Sequence, residues 1–436
     1  MITYKCCLKQ IIKAILSLFW VINNDDLDGR DDMKQSLSRV KQPKKFDFIL
    51  TGIIVCMMIS SIIAIYSSIP QMPSYLDPSG TLTKQIMFYL LGFIIVGIIM
   101  YVGNDSIYEF AVIGYKIIIG MLIYLFISSL LFRFTGRQLW FVNRVNGATS
   151  WFLFPIIGSF QPSEFMKIIL IVIVAHIIQV HNENKVDDSF ESDIELFLEV
   201  GKWAFTPMIL ILLQPDTGIC IIIAFSLLLM LACGGIRREW MIWGISIIII
   251  ALTIFLTIYF TNQDLFKSLF GDSYKMKRIY GWLEVEKYSN GVGIQLYKAL
   301  LAIGSSGWFG HGVQSMLISI PEPHTDFIFA VIGLCFGFIG CIIVILLCIS
   351  LDVRLAQISI RTTNLMEKLI VTGFLGMLIF QQIQNIGMVI GLLPITGITL
   401  PMISYGGSSL LSYMTAFGII MNTSLRAKKL SDYVYE

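Results

Sequence analysis

Asp326 is the residue whose position most demands a chemical explanation. It lies in Pro321-Glu322-Pro323-His324-Thr325-Asp326-Phe327, where a charged stretch gives way to the charge-free run Phe327–Leu351. A carboxylate at the mouth of an apolar segment is costly to desolvate, so it either does chemistry or serves the backbone. As chemistry, an acid beside a low-dielectric wall has a raised pKa and is a better base once ionised. As structure, Asp is a common N-cap that accepts the orphan N–H groups of the following helix. Three other polar groupings pose the same choice: Gln161-Pro162-Ser163-Glu164 with Lys167, Gln214-Pro215-Asp216-Thr217-Gly218, and Ser404-Tyr405-Gly406-Gly407-Ser408-Ser409. Glu164 and Lys167 stand at i, i+3 and share a helix face. They suit either the binding of an anionic oxygen or a semi-buried ion pair, with Ser163 as the N-cap. Asp216 reads better as a cap than as a catalytic group. Gly406-Gly407 offers either backbone N–H groups to a phosphate or close helix packing. Arg278, with Lys275 and Lys277, suits a departing anion, although a charge run is more often a solvated face. His324 is two residues from Asp326, a poor spacing for a direct pair on a helix. His176 reads as a satisfied interior histidine, and no grouping has zinc-ligand spacing.

These residues must be positioned by membrane-spanning helices. Of 436 residues, 56% are hydrophobic and 14% charged, with mean hydropathy +0.78, which excludes an ordinary soluble domain. The net charge of +2 and the absence of a basic run give no reason to expect nucleic-acid binding. Six of the eight cysteines lie in or beside apolar segments, and Cys6-Cys7 lacks metal-ligand spacing, so no disulfide framework is expected. Crossing a bilayer takes about 20 apolar residues. That yardstick predicts an all-α protein with ten spans: 48–67, 85–102, 109–132, 164–181, 198–213, 217–236, 240–260, 327–350, 369–390 and 407–424. Residues 1–45 form an extension whose apolar stretch Ile11–Ile22 is broken by Lys13; it reads as an amphipathic segment rather than a signal peptide. Residues 46–426 form the membrane domain and 427–436 a tail. Basic residues in the extension, at Arg237-Arg238, in 352–368 and in the tail place both termini in the cytoplasm. The loops 133–163 and 261–326 are then extracellular. Helices 4, 6, 8 and 10 start at that outer face, where their N-terminal N–H groups favour anions.

Six motifs together give the chain a family resemblance. They are Asn146-Gly147-Ala148-Thr149-Ser150-Trp151, Gln161 to Glu164 with Lys167, Gln214-Pro215-Asp216, Ile303-Gly304-Ser305-Ser306-Gly307, Pro321 to Ala330, and Ile403 to Ser409. In this order the chain resembles the SEDS proteins (shape, elongation, division and sporulation) of the RodA, FtsW and SpoVE type, over about residues 46 to 426. The resemblance implies a peptidoglycan glycosyltransferase in the cytoplasmic membrane of a bacterium that polymerises lipid II. Asp326 would be the catalytic base that deprotonates the acceptor's 4-hydroxyl, which displaces undecaprenyl pyrophosphate with inversion. Glu164, Lys167, Asp216, Arg278, Ser404, Tyr405, Gly406 and Gly407 would line the substrate site. A class B penicillin-binding protein would be the partner. A divalent cation, Mg or Mn, bridging Asp326 and pyrophosphate is chemically sensible but leaves no mark in sequence. The chain departs from the family pattern at Ser150, where an Arg is usual, at Leu334 and Cys335, where paired glutamates are usual, and at Lys298-Ala299. A lipid-linked sugar flippase and a non-catalytic scaffold are the competing readings.

Overall fold

The computed structural model describes residues 46–73, 77–145, 148–154, 158–185, 187–271 and 274–427. The amphipathic segment and the tail beyond residue 427 lie outside the described residues. Each of the ten expected spans coincides with a helix: α1 (Phe48–Ser68), α2 (Pro78–Val102), α3 (Ile107–Thr135), α4 (Pro162–Asn184), α5 (Phe190–Leu213), α6 (Thr217–Cys233), α7 (Arg238–Thr261), α11 (Ile328–Arg361), α12 (Leu365–Val389) and α13 (Gly407–Arg426). Eight of these are long and apolar enough to cross a membrane; α6 is apolar but has 17 residues. The helix α13 carries Ser, Thr, Tyr and Asn, of which Ser412, Tyr413, Asn422 and Thr423 are buried against other helices. This is an all-α polytopic membrane protein.

Several boundaries differ from the sequence reading, among them the start of α2 at Pro78, and those of α5 and α11 bear on the charged residues. Helix α5 begins at Phe190 because Ser189 caps it, accepting the Ser192 N–H at 3.2 Å, and acidic residues then occupy its first turn. Helix α11 runs to Arg361, so the expected loop 352–368 shrinks to a short turn. Arg354, counted as a loop cation, lies on the helix and makes an ion pair with Asp47 at 2.7 Å. Asp47 also caps α1, and burial raises its pKa less than Arg354, the Leu50 N–H and Ser424 lower it.

The two long loops are structured. Between α3 and α4 lies a three-stranded antiparallel sheet, β1 (Val142–Val145), β2 (Ala148–Phe154) and β3 (Gly158–Phe160), in the order β1-β2-β3. Aromatic residues suit a pleated surface, and Phe152 stacks on Tyr124 and Phe154. The loop before α11 contains α8 (Gln263–Phe270), α9 (Tyr274–Leu283) and α10 (Ile294–Ser305). Helix α10 enters the bundle, burying Leu296, Ala299 and Ala302 fully in the main core.

The core centres on α4 and α12, whose most apolar windows are 72% and 78% buried, whereas α7 buries none of its own. Helix α7 therefore presents its Ile- and Leu-rich surface outward, as a lipid-facing helix does. Helix α11 is broken at Gly337, where φ is +65°. The segment 307–312 fills the break with backbone hydrogen bonds. The N–H groups of His311 and Gly312 donate to Leu334 and Cys335 (2.9 and 3.0 Å), and those of Phe338 and Ile339 donate to Gly307 and Trp308 (3.0 and 3.2 Å). Opening a helix at membrane depth orphans backbone groups, and this segment re-satisfies them. A Cβ at Gly337 would stand 2.4 Å from the Gly310 nitrogen, so only glycine fits. Gly337→Ala should cost about 2 kcal/mol and lower the melting temperature in detergent. Gly97→Ala, at a position with nothing within 4 Å, should leave it unchanged.

Candidate active site

The polar starts of α4, α6, α11 and α13 gather at one end of the bundle, here called the site end. What joins them is the irregular segment between α12 and α13, residues 390–406. An irregular backbone among apolar helices must find hydrogen-bond partners inside the protein, and side chains from several elements supply them. Trp282 of α9 donates to the Gly391 carbonyl at 3.0 Å, Gln384 to Pro394 at 2.9 Å and Asn385 to Ile398 at 2.8 Å. Tyr89 donates to the Met402 carbonyl, Ser61 to Ile403 at 2.8 Å and Gln85 to Ser404 at 3.4 Å.

This platform holds the Asp326 turn. Three successive carbonyls of that turn each accept an outside donor: His324 from the Tyr405 N–H (2.8 Å), Thr325 from the Ser404 hydroxyl (2.7 Å) and Asp326 from the Asn385 amide (2.8 Å). The N-cap of α11 is Phe327 and no side chain caps the helix, so Asp326 is not its cap. Among the described residues, no hydrogen-bond donor reaches the Asp326 carboxylate. Its surroundings are Gly397, Arg278 and Glu322. A Cβ built on Gly397, at φ +77°, would stand 3.5 Å from Asp326 Oδ2 and 4.0 Å from Arg278 Nη1. The carboxylate and the guanidinium thus approach the same bare glycine from two elements. Burial raises the Asp326 pKa to about 6, with the Glu322 charge adding and Arg278 opposing.

A second cluster lies across the same segment, because Gly218 packs beside Ile398 and the Thr396 carbonyl. Asp216 caps α6, accepting the Ile219 N–H at 3.4 Å, and its other oxygen accepts Gln161 Nε2 at 2.7 Å. Burial raises its pKa to about 6 as well, and the Glu164 charge adds to this. Glu164 and Lys167 form an ion pair at 2.8 Å, with side-chain exposures of 10% and 1%. Lys167 Nζ also lies 5.3 Å from the Tyr413 ring, and Tyr413 exchanges hydrogen bonds with Gln381. Ser163 is not the cap: α4 starts at Pro162 with Gln161 as its N-cap, and among the described residues the buried Ser163 hydroxyl has no hydrogen-bond partner.

The remaining expected residues are structurally engaged. Ser404 accepts the Leu400 N–H at 2.9 Å while donating to Thr325, and Tyr405 holds the His324 carbonyl. The Gly406 N–H donates to Gln85 at 3.4 Å, and a Cβ on Gly407 would overlap the Phe88 ring. Gly407 is thus closely packed on Phe88. His324 is buried, and that burial lowers its pKa. His176 stacks on Tyr108 at 3.7 Å. Ser61, Gln85, Tyr89, Asn385 and Gly397 escape the sequence reading. A usable signal existed in Gln381, Gln382, Gln384 and Asn385, polar residues inside an otherwise apolar helix.

A sequence model of the FtsW/RodA/SpoVE cell cycle proteins matches residues 47–429. The chain belongs to this family. It is 35% identical over 293 residues to the peptidoglycan glycosyltransferase MrdB of Escherichia coli K12, covering 66% of this chain and 74% of MrdB. Against the probable peptidoglycan glycosyltransferase FtsW of Trichlorobacter lovleyi it is 28% identical over 394 residues, covering 88% and 94%. Among solved structures, a chain of a peptidoglycan synthase complex that coordinates polymerisation and crosslinking superposes with a TM-score of 0.66 at 22% identity, covering 87% of this chain and 97% of that one. Thermus thermophilus RodA superposes at 0.58 and 22% identity, covering 88% and 98%.

Removing one member of a buried ion pair strands the other charge. Lys167→Met should therefore destabilise the protein by about 3–5 kcal/mol. Lys167→Met combined with Glu164→Gln should recover most of that loss, read as melting temperatures in detergent.

Proposed function

We infer that the chain is a peptidoglycan glycosyltransferase that extends glycan strands from lipid II at the outer face of the cytoplasmic membrane. Both termini then lie in the cytoplasm and the site end faces outward, as the distribution of basic residues expects. The observation that carries the reading is the Asp326 carboxylate. It is half-buried, raised to about 6 and spared the capping duty its sequence position suggested.

The chemistry follows from that placement. Asp326 takes the proton of the acceptor 4-hydroxyl, the oxygen bonds to the donor anomeric carbon, and the bond to pyrophosphate breaks with its electron pair. A base with a pKa near neutrality is ionised at working pH and still basic enough to assist. Arg278, beside the same glycine, supplies positive charge where the leaving pyrophosphate gains negative charge. Lys167 is committed to Glu164, so its part is to hold the α4 start rather than to contact substrate directly. The open groove of about 330 Å³ between α3 and the sheet, lined by Ile117, Tyr124, Trp140, Phe141, Phe152 and Phe154, suits a polyprenyl chain.

Among the described residues, no group of three His, Cys, Asp or Glu side chains could hold a metal ion. A Mg- or Mn-type cation that keeps its waters and borrows pyrophosphate oxygens needs only one or two carboxylates. Asp326 and Glu322 are the two that fit, and such an ion would supply charge neutralisation at the leaving group. The proposed partner is a class B penicillin-binding protein, in keeping with the similarity to a chain of a synthase complex. A flippase would want a passage through the membrane, but the break in α11 is filled by backbone.

With labelled lipid II and the cognate transpeptidase if required, Asp326→Ala should lower polymerisation by about 100-fold or more. The wild-type rate should rise as pH increases through about 6, because the base works only after losing its proton. A flat profile or an active Asp326→Ala would sink the assignment.

A further inference from the structure

Asn385 is fully buried in α12, yet no motif draws attention to it. Its Nδ2 has two N–H groups and both are used: one donates to the Asp326 carbonyl and the other to the Ile398 carbonyl, each at 2.8 Å. These acceptors belong to the two segments that form the site. Asp326 carries the carboxylate, and Ile398 follows Gly397, the glycine beside which Asp326 and Arg278 converge. Of the three donors that pin the Asp326 turn, the Tyr405 N–H and the Ser404 hydroxyl come from residues just before α13. Asn385 alone comes from a central helix and reaches the Gly397 segment at Ile398, next to Gly397 itself, whereas Ser404 reaches it at Leu400. Among the described residues its Oδ1 is buried without a hydrogen-bond partner, so hydrogen bonds by its oxygen do not account for the residue.

We propose that Asn385 is the positioning residue of this site: its one amide sets the separation between the Asp326 turn and the Gly397 segment, and so aims the carboxylate at the gap it shares with Arg278. The physical case is that two carbonyl oxygens repel one another unless a shared donor lies between them. A single NH₂ group with both hydrogens committed has little freedom to let either segment drift. The neighbouring Gln384 is the natural comparison, since it anchors the same segment through Pro394 but does not touch the Asp326 turn.

The proposal rests on Asp326 acting as the base, and the test separates the two claims. Asn385→Ser, Asn385→Gln and Gln384→Ala are prepared as full-length protein in detergent, with Asp326→Ala alongside. The first readout is lipid II polymerisation across pH. Asn385→Ser should lower kcat by about 10- to 100-fold, with KM for lipid II within about threefold. Asn385→Gln keeps both donors on a longer arm and should recover part of the loss. Gln384→Ala should keep the wild-type pH profile.

The second readout needs no activity. Dicyclohexylcarbodiimide modifies protonated carboxyls, so mass spectrometry of Asp326 labelling against pH reports its titration. The labelling midpoint near 6 should fall in Asn385→Ser towards the ordinary carboxylate value of about 4 as the loosened turn admits water. It should stay in place in Gln384→Ala. An unchanged midpoint and pH profile in Asn385→Ser would overturn the proposal. So would equal shifts in Gln384→Ala, or failure of both Asn385 variants to remain monodisperse while Gln384→Ala folds. An active Asp326→Ala would remove the base assignment only, leaving the labelling midpoints to judge whether Asn385 sets the geometry.

Discussion

An irregular stretch of backbone enclosed by apolar helices has no water to fall back on, and the architecture of the site end follows from that constraint. Residues 390–406 carry carbonyl groups that neither helix nor sheet can satisfy. Donors come instead from Ser61 on α1, Gln85 and Tyr89 on α2, Trp282 on α9, and Gln384 and Asn385 on α12. Because these helices are far apart in sequence, the segment binds them together as much as they hold it. The same carbonyl accounting extends to the Asp326 turn, whose three pinned carbonyls leave the carboxylate without a structural task. The break in α11 at Gly337 repeats the solution with backbone donors.

Two carboxylates of similar raised pKa therefore have different fates. Asp216 accepts the Ile219 N–H and the Gln161 amide, and belongs to a cluster with the Glu164–Lys167 ion pair. Such a group is fixed, and its charge serves the fold. Asp326 accepts no hydrogen bond from a described residue and faces a guanidinium across a bare glycine. Burial alone does not distinguish the two acids. The distinction lies in which one the backbone already uses.

Two of the departures from the family pattern have a structural account. Ser150, where an arginine is usual, donates its hydroxyl to the Gln214 carbonyl at 3.0 Å and so supports the turn leading to Asp216. Leu334 and Cys335, where glutamates are usual, are fully buried, while their carbonyls accept the His311 and Gly312 N–H groups. Those bonds depend on the main chain and on the glycines at 310 and 337, not on the side chains at 334 and 335. The break in α11 therefore needs no acidic side chain at either position.

The helices were legible because hydropathy over about 20 residues is a local property. A helix stands at each of the ten expected spans, eight of them long and apolar enough to cross a membrane, and the four polar helix starts do gather at one end. The roles within that end were less legible. Asp326 and Ser163 as caps were reasonable from local propensity, yet neither side chain caps its helix, and Gly407 packs closely on Phe88. The sheet between α3 and α4, the entry of α10 into the core and the extension of α11 to Arg361 also depend on partners distant in the chain. Sequence by itself determined the membrane-spanning class, the helix positions and the short set of residues worth suspecting, because each follows from composition and near-neighbour spacing. Only the tertiary structure decided which carboxylate is left uncommitted, since a side chain is free or engaged according to what the rest of the fold brings within 3 Å of it.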